Sequence, residues 1–266
     1  MLGAIIGDIV GSRFEFHNHL SKEFEFLSDR CYFTDDTVMT VAVADALLKS
    51  AGDLSALPEQ AVVSMQAIGR HYPCCGYGGR FISWMFTDHP KPYGSYGNGS
   101  AMRVSAVAWA ARSLEECKAF SRAVTAVSHD HPEGLKGAEA TAVATWMALH
   151  GATKEEIIAC VNRDYYTLDF TIDGIRPDYV HNETCQNSVP QALEAFAEGT
   201  DYEDVIRIAV SLGGDSDTIA AIAGSVAEAY YGIPRQYRED AMTRFLDPRL
   251  SRIVRDFEAR YGMRAV

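Results

Sequence analysis

Apolar residues recur along most of this chain at three- and four-residue steps, the spacing that gathers them on one face of a helix. In "GAEATAVATWMALH" the residues Ala138, Ala142, Thr145, Trp146 and Leu149 carry that period. The same pattern predicts helices over residues 37–49, 58–71, 101–111, 114–127, 186–198, 202–211 and 217–231. Alternation with period two is scarce. The stretch "YYTLDFTI", residues 165–172, is the main strand candidate, and one short ribbon makes no sheet. The pattern therefore predicts a mainly α protein. Loops are expected at "PCCGYGGR", "TDHPKPYGSYGNGS" and "TIDGIRPDYVHNET", where Gly, Pro, Asn and Asp cluster. No tandem repeat, low-complexity tract or composition shift divides the chain, so one compact domain over residues 1–266 is expected.

The N-terminal "GAIIGDIVG" spaces Gly3, Gly7 and Gly11 four residues apart. That matches neither nucleotide-binding glycine pattern, G-x-G-x-x-G or G-x-x-x-x-G-K-[ST]. Four-residue spacing stacks small residues on one helix face, where a second helix can approach closely. A packing role is the expectation.

Composition narrows the function classes. With 47% hydrophobic and 23% charged residues the chain reads as an ordinary globular protein. At 266 residues it can bury a sizeable core. No apolar run approaches the ~20 residues that span a bilayer. The N-terminus lacks a basic segment and Asp8 interrupts it, so it does not read as a signal peptide and a cytoplasmic setting is expected. Lys and Arg total 24 against 36 Asp and Glu, a net charge of −12 that repels anionic membranes and nucleic-acid backbone. An anionic small ligand would then need a local device to hold it. The six cysteines form no C-x-x-C pair and no zinc spacing, which points to reduced thiols.

Two acidic clusters stand at predicted helix mouths. Thr34-Asp35-Asp36-Thr37 precedes one apolar run, and Asp215, Asp217 and Thr218 follow two glycines before another. Taken alone, each cluster suits helix capping, because Thr and Asp are preferred caps and acids complement the helix dipole. Together they offer four carboxylates and two threonine hydroxyls on backbone held by helix starts. If they meet in space, four carboxylates repel unless cations neutralise them, and hard oxygen donors favour Mg²⁺, Ca²⁺ or Mn²⁺. Two clusters could hold two ions, an arrangement that polarises substrate oxygens.

Five blocks occur in order: "GDIVGSRFE", "FTDDTVM", "YGNGSAMRVS", "SHDHPEG" and "GGDSDTIAAIAG". This set, spread from residue 3 to about residue 234, resembles the ADP-ribosylglycohydrolase family. The resemblance implies an all-α, roughly orthogonal helix bundle with a binuclear Mg²⁺ (or Mn²⁺) centre in a cleft. It implies Thr34, Asp35, Asp36, Asp215, Asp217 and Thr218 as metal ligands, and Glu15 as a mobile carboxylate positioned at the metals. Glu15 and Asp36 are the candidates for acid–base work. The turn with Gly97, Asn98, Gly99, Ser100 and Met102 would contact diphosphate and ribose through backbone amides, and His129 would lie against the distal part of ADP-ribose. The implied partner is an ADP-ribosylated protein or a small ADP-ribosyl conjugate; nucleic acid is expected only as a modified acceptor, and a monomer is the expected state. A helix start preceded by a glycine-rich turn does favour an anion, which answers the difficulty raised by the charge.

Plainer readings accompany these. Asp8 can order the Glu15 segment or cap a helix. His131 can be a loop histidine, Asn98 can bond a ligand or fix its own turn, and Arg103 can touch phosphate, with pairing to a neighbouring acid the plainer expectation. Tyr77, Phe81, Trp84, Tyr93 and Tyr96 can stack on an adenine, with core filling expected for at least three. Some lens crystallins resemble this family, so a structural or purely ADP-ribose-binding member is the alternative to an enzyme. The six intact candidate ligands favour catalysis.

Overall fold

The computed structural model describes residues 1–262, and they fold into helices. The first half holds α1 (Leu2–Gly11), α2 (Asp35–Ser50), α3 (Leu57–Gly69), α4 (Gly79–Phe86), α5 (Ser105–Ala110), α6 (Leu114–Thr125) and α7 (Pro132–Leu149). The second holds α8 (Lys154–Asp164), α9 (Ile172–Ile175), α10 (Val189–Glu198), α11 (Tyr202–Ser211), α12 (Ser216–Tyr231), α13 (Arg235–Asp240) and α14 (Pro248–Tyr261). A π-helical turn, Ala241–Phe245, follows α13. Among the described residues there is no strand, only an isolated antiparallel bridge between Gly97 and Thr184. The all-α expectation holds.

Helix α12 is the centre of the assembly. Every residue from Ser216 to Glu228 is buried, and α1, α7, α10 and α11 pack around it. Its run of Ala, Gly and Ser allows that, because small side chains let neighbours close in from all sides. The closest neighbour is α1, itself buried along its whole length. A Cβ on Gly7 would collide with the Ala220 carbonyl, one on Gly3 with the Gly224 carbonyl, and one on Gly11 with the Asp217 backbone. The N-terminal glycines are thus packing glycines, as their spacing predicts. The three pairings also show that α1 runs antiparallel to α12, with its C-terminal end beside Asp217. On the other flank of α1, Ile5, Ile6, Ile9 and Val10 are fully buried, each contributing roughly 1.5–3 kcal/mol of apolar burial.

Three predictions change. Residues 165–172 are an irregular connection between α8 and α9 and not a strand. Tyr165 and Tyr166 both donate backbone N–H to the Val161 carbonyl, and Leu168 N–H is held by the Asn162 side chain, so the amides are spent locally. The expected helix over residues 101–111 shortens to α5, because the Asn98 carbonyl accepts from both Ala101 and Met102 and winds the preceding stretch into a turn. Helix α9, inside a predicted loop, exists because the Thr171 side chain caps it and Ile172 reaches the core.

Candidate metal centre and substrate cleft

The N-termini of α2 and α12 converge on one cleft. Its volume is about 320 Å³, and its lining includes Glu15, Asp35, Asp36, Asp215, Asp217 and Thr218. A larger cavity, about 1030 Å³, opens at the other end of α12 and contains none of the candidate residues. Size and chemistry point to different places, and the chemistry is in the smaller one.

At the first helix start Thr34 is the extended N-cap of α2, and its hydroxyl accepts from Asp36 N–H at 3.3 Å. That hydroxyl donates to Asp8 Oδ1 at 2.7 Å, while Asp8 Oδ2 accepts from Thr34 N–H at 3.0 Å and Thr37 N–H at 2.9 Å. Asp8, fully buried on α1, therefore caps α2 from a different helix; the capping reading of Asp8 is the one the geometry supports. Asp35 N–H donates to the Cys75 carbonyl at 2.7 Å, tying the start to the "PCCGYGGR" loop. Gly76 there has φ of +101°, and a Cβ on it would lie 3.0 Å from Asp35 Oδ1.

The second start is built differently. Gly213 and Gly214 both take left-handed φ, +80° and +69°, which a side chain would strain. Gly214 N–H donates to Asn18 Oδ1 at 3.0 Å, and the Tyr179 ring fills the space a Cβ would need. Asp215 Oδ2 accepts from Asn98 Nδ2 at 2.6 Å. The clusters touch directly where the Thr218 hydroxyl donates to Asp36 Oδ2 at 3.2 Å. Glu15, half-buried after the end of α1, brings its carboxylate to Asp215 and Asp217, one oxygen of each lying within 4.8 Å of the others.

Asp36 Oδ1 and Asp217 Oδ1 are buried without a hydrogen-bond partner. Such orphans are costly unless something absent from the protein atoms satisfies them. Burial pushes Asp36 and Asp217 well above the usual carboxylate range, with further upward pushes from Asp8 and Asp35 on the first, and from Asp215 and Asp36 on the second. Asp35 and Asp215 are raised by burial as well. Glu15 is pushed up to about 7, by burial first and the Asp215 charge second. Acids crowded this way, with orphaned oxygens and threonine hydroxyls among them, have the donor chemistry of a hard divalent cation site. Asp35, Asp36, Asp215, Asp217 and Thr218, with Glu15 beside them, line the cleft and fit such a group; Thr34 stands just behind them, its hydroxyl held between Asp8 and the Asp36 amide.

Of the residues expected to face substrate, Gly97, Asn98, Gly99, Met102 and His129 line the cleft. Ser100 does not: it is fully buried, and its hydroxyl donates toward the Gly97 and Gly134 carbonyls. The N–H groups of Asn98, Ser100, Ala101 and Met102 are engaged by the carbonyls of Glu183, Gly97, Asn98 and Asn98, so the turn keeps few amides for a ligand. Among the aromatics, Tyr77, Phe81 and Trp84 are core, Phe81 also reaching the cleft with Tyr93, and Tyr96 is exposed. Arg103 is buried and has no carboxylate pair among the described residues, contrary to the plainer reading.

Several supporting residues are not legible as motifs. Glu183 holds Asn98 through its carbonyl, Ser188 Oγ accepts the second Asn98 N–H at 2.9 Å, and Ser128 bonds His129 Nδ1 at 2.8 Å. One signal was present in "HNET": Asn182 Oδ1 accepts from Thr184 N–H and hydroxyl, the side-chain turn that Asn before Thr favours.

Comparison with known proteins agrees with this architecture. The ADP-ribosylglycohydrolase family model matches residues 1–264. The mouse protein ADP-ribosylhydrolase ARH3 is 27% identical over 88% of this chain and 83% of its own length. ADP-ribosylarginine hydrolase Tri1 of Pseudomonas putida (strain GB-1) is 26% identical over 88% of this chain and 70% of its own. A solved structure described as an ADP-ribosylglycohydrolase-related protein complex superposes with a TM-score of 0.70 at 25% identity, covering 98% of this chain and 93% of that one. From the convergent helix starts to the whole-length match, the chain belongs to the ADP-ribosylglycohydrolase family.

Proposed function

We propose that this protein is a metal-dependent hydrolase that cleaves the glycosidic bond between ADP-ribose and a modified acceptor, either a protein side chain or a small conjugate. The observation that carries the reading is the meeting of two acidic helix starts, with orphaned carboxylate oxygens, at a cleft that also holds the Gly97–Met102 turn and His129. Family membership and the hydrolase names of ARH3 and Tri1 support it.

Two Mg²⁺ or Mn²⁺ ions bound by Thr34, Asp35, Asp36, Asp215, Asp217 and Thr218 would neutralise these acids, hold ribose oxygens and lower the pKa of a bound water. The chain's own groups do the rest. Departure of the acceptor leaves positive charge on the anomeric carbon, which nearby carboxylates stabilise. Burial and the Asp215 charge push Glu15 up to about 7 in the metal-free protein, and bound cations would draw it back down; as a carboxylate beside the centre it is a candidate for general acid–base work, typically worth 10²–10⁴-fold in rate. Asp36, whose Oδ1 is unpaired in the same cleft, is the second candidate. Phe81, Tyr93 and His129 line the same cleft, and an adenine would stack on these rings.

The test is release of ADP-ribose from arginine-linked, serine-linked, O-acetyl and DNA-linked substrates, with Mg²⁺, with Mn²⁺ and after chelation. Release should stop on chelation and in both Asp35→Ala and Asp217→Ala. Activity surviving in both variants would remove the proposed centre from the mechanism.

A further inference from the structure

The cleft has a charge problem that the acidic centre makes worse. Glu15, Asp35, Asp36, Glu183, Asp215 and Asp217 line it, against Arg80 and Arg103 as its guanidinium groups among the described residues. Most backbone amides of the glycine turn are already engaged. A ligand carrying a diphosphate needs countercharge at the end away from the acids.

Arg80 is exposed and lies over the Tyr93 ring, 4.7 Å from its centroid. Arg103 is 1% exposed and lies over Phe81 at 5.6 Å, with Nε unpartnered. A guanidinium buried without a carboxylate carries an uncompensated desolvation cost, which an arriving anion offsets. Its Nη2 donates to Ser128 Oγ at 2.8 Å and to the Val124 carbonyl at 3.3 Å. Ser128 thus accepts from Arg103, and the partner remaining for its own hydrogen is His129 Nδ1, 2.8 Å away. A serine that donates to Nδ1 would leave the imidazole proton on Nε2. Nε2 faces the glycine turn: a Cβ on Gly99 would lie 3.5 Å from it and one on Gly97 3.6 Å.

We propose that Arg103 is a positioning residue of this cleft: through Ser128 it holds His129 with its Nε2–H turned toward the Gly97–Gly99 turn, and it supplies the buried countercharge for a diphosphate seated there. The diphosphate rests on the reading of the substrate as ADP-ribosyl; the tautomer does not.

The experiment measures ADP-ribose and adenosine affinities by calorimetry, and the His129 tautomer by side-chain ¹⁵N NMR. It uses the Mg²⁺-loaded full chain and the R103M, R103K and S128A variants. Losing a charge-assisted interaction should weaken ADP-ribose binding by roughly ten- to a hundredfold in R103M. Adenosine, which has no phosphate, should change less than about threefold, and R103K should recover most of the loss because it keeps the charge. In wild type the Nε2–H form should dominate, and S128A should lose that bias. ADP-ribose affinity in folded R103M within about twofold of wild type would overturn the proposal. So would a wild-type His129 protonated on Nδ1, a result that needs no variant to fold. Turnover by the wild type, measured alongside, tests the hydrolase reading separately: its absence sinks that reading, and the tautomer and affinity results still decide this one.

Discussion

The two acidic helix starts carry nearly the same side chains and are held by opposite means. The first, Thr34 to Asp36, has ordinary extended backbone and is fixed from behind by one buried carboxylate, Asp8, with three hydrogen bonds. The second, Gly213 to Thr218, has two left-handed glycines and is held from in front by loop side chains, Asn18, Tyr179 and Asn98. A start anchored in a helix–helix seam is pre-organised. The second start also meets α1, where Ser216 Oγ donates to the Gly11 carbonyl at 3.2 Å. The contrast therefore lies in the turns that lead into the two helices, Thr34 capped by Asp8 against Gly213 and Gly214 held by Asn18 and Tyr179, and the segment bearing Asn18 also bears Glu15.

The largest test of this contrast removes the Asp8 anchor. Asp8→Ala leaves Thr34 and Thr37 amides buried without acceptors, and urea unfolding should show a loss of about 3 kcal/mol. A loss below about 1 kcal/mol would make the first start self-supporting. Gly214→Ala should cost less, about 1–2 kcal/mol, from left-handed strain and the Tyr179 ring. Its mark should be weaker Mg²⁺ affinity by calorimetry, with the first start untouched. Thr218→Val breaks the one direct hydrogen bond between the starts. It should cost about 1 kcal/mol in urea and shift Mg²⁺ affinity about fivefold. An unchanged affinity would separate Thr218 from the cation.

A smaller and more diagnostic effect is the pH dependence of the metal-free protein. Asp8 rises from 3.8 to about 6 on folding and Glu15 from 4.5 to about 7, both chiefly by burial. The folded chain then keeps protons that the unfolded chain has released, so stability falls as pH rises through that window. After chelation the melting temperature should decline between about pH 4 and 7, and saturating Mg²⁺ should raise it more at pH 7 than at pH 5. A melting temperature that climbs across the window would reverse the sign and contradict the burial of unpaired acids.

Much of this was legible in the sequence where a local rule decides the outcome. The stretch 202–211 reads as a helix and is one, because Asp201 caps it and its apolar period faces the core. The small-residue stripe of Gly3, Gly7 and Gly11 announces its packing partner by chemistry, though not by number. Residues 165–172 have strand-like alternation yet no neighbour to pair with, and pairing is a non-local fact. The site divides the same way. Asp35, Asp36, Asp215 and Asp217 stand out as acids at helix mouths, with Thr34 and Thr218 beside them, but only the fold brings Thr218 to Asp36. Glu183 acts through a backbone carbonyl and Arg103 through a serine, and neither action leaves a residue pattern to read.

The central claim is that two helix starts some 180 residues apart in sequence (182 between Asp36 and Thr218) form one cation centre. Mn²⁺ titration followed by electron paramagnetic resonance, in wild type, Asp35→Ala and Asp217→Ala, tests it most directly. If the centre is shared, each single substitution should weaken the tightly bound Mn²⁺ by about tenfold or more, from either end of the chain. Wild-type Mn²⁺ affinity in either variant, with the protein folded, would contradict it.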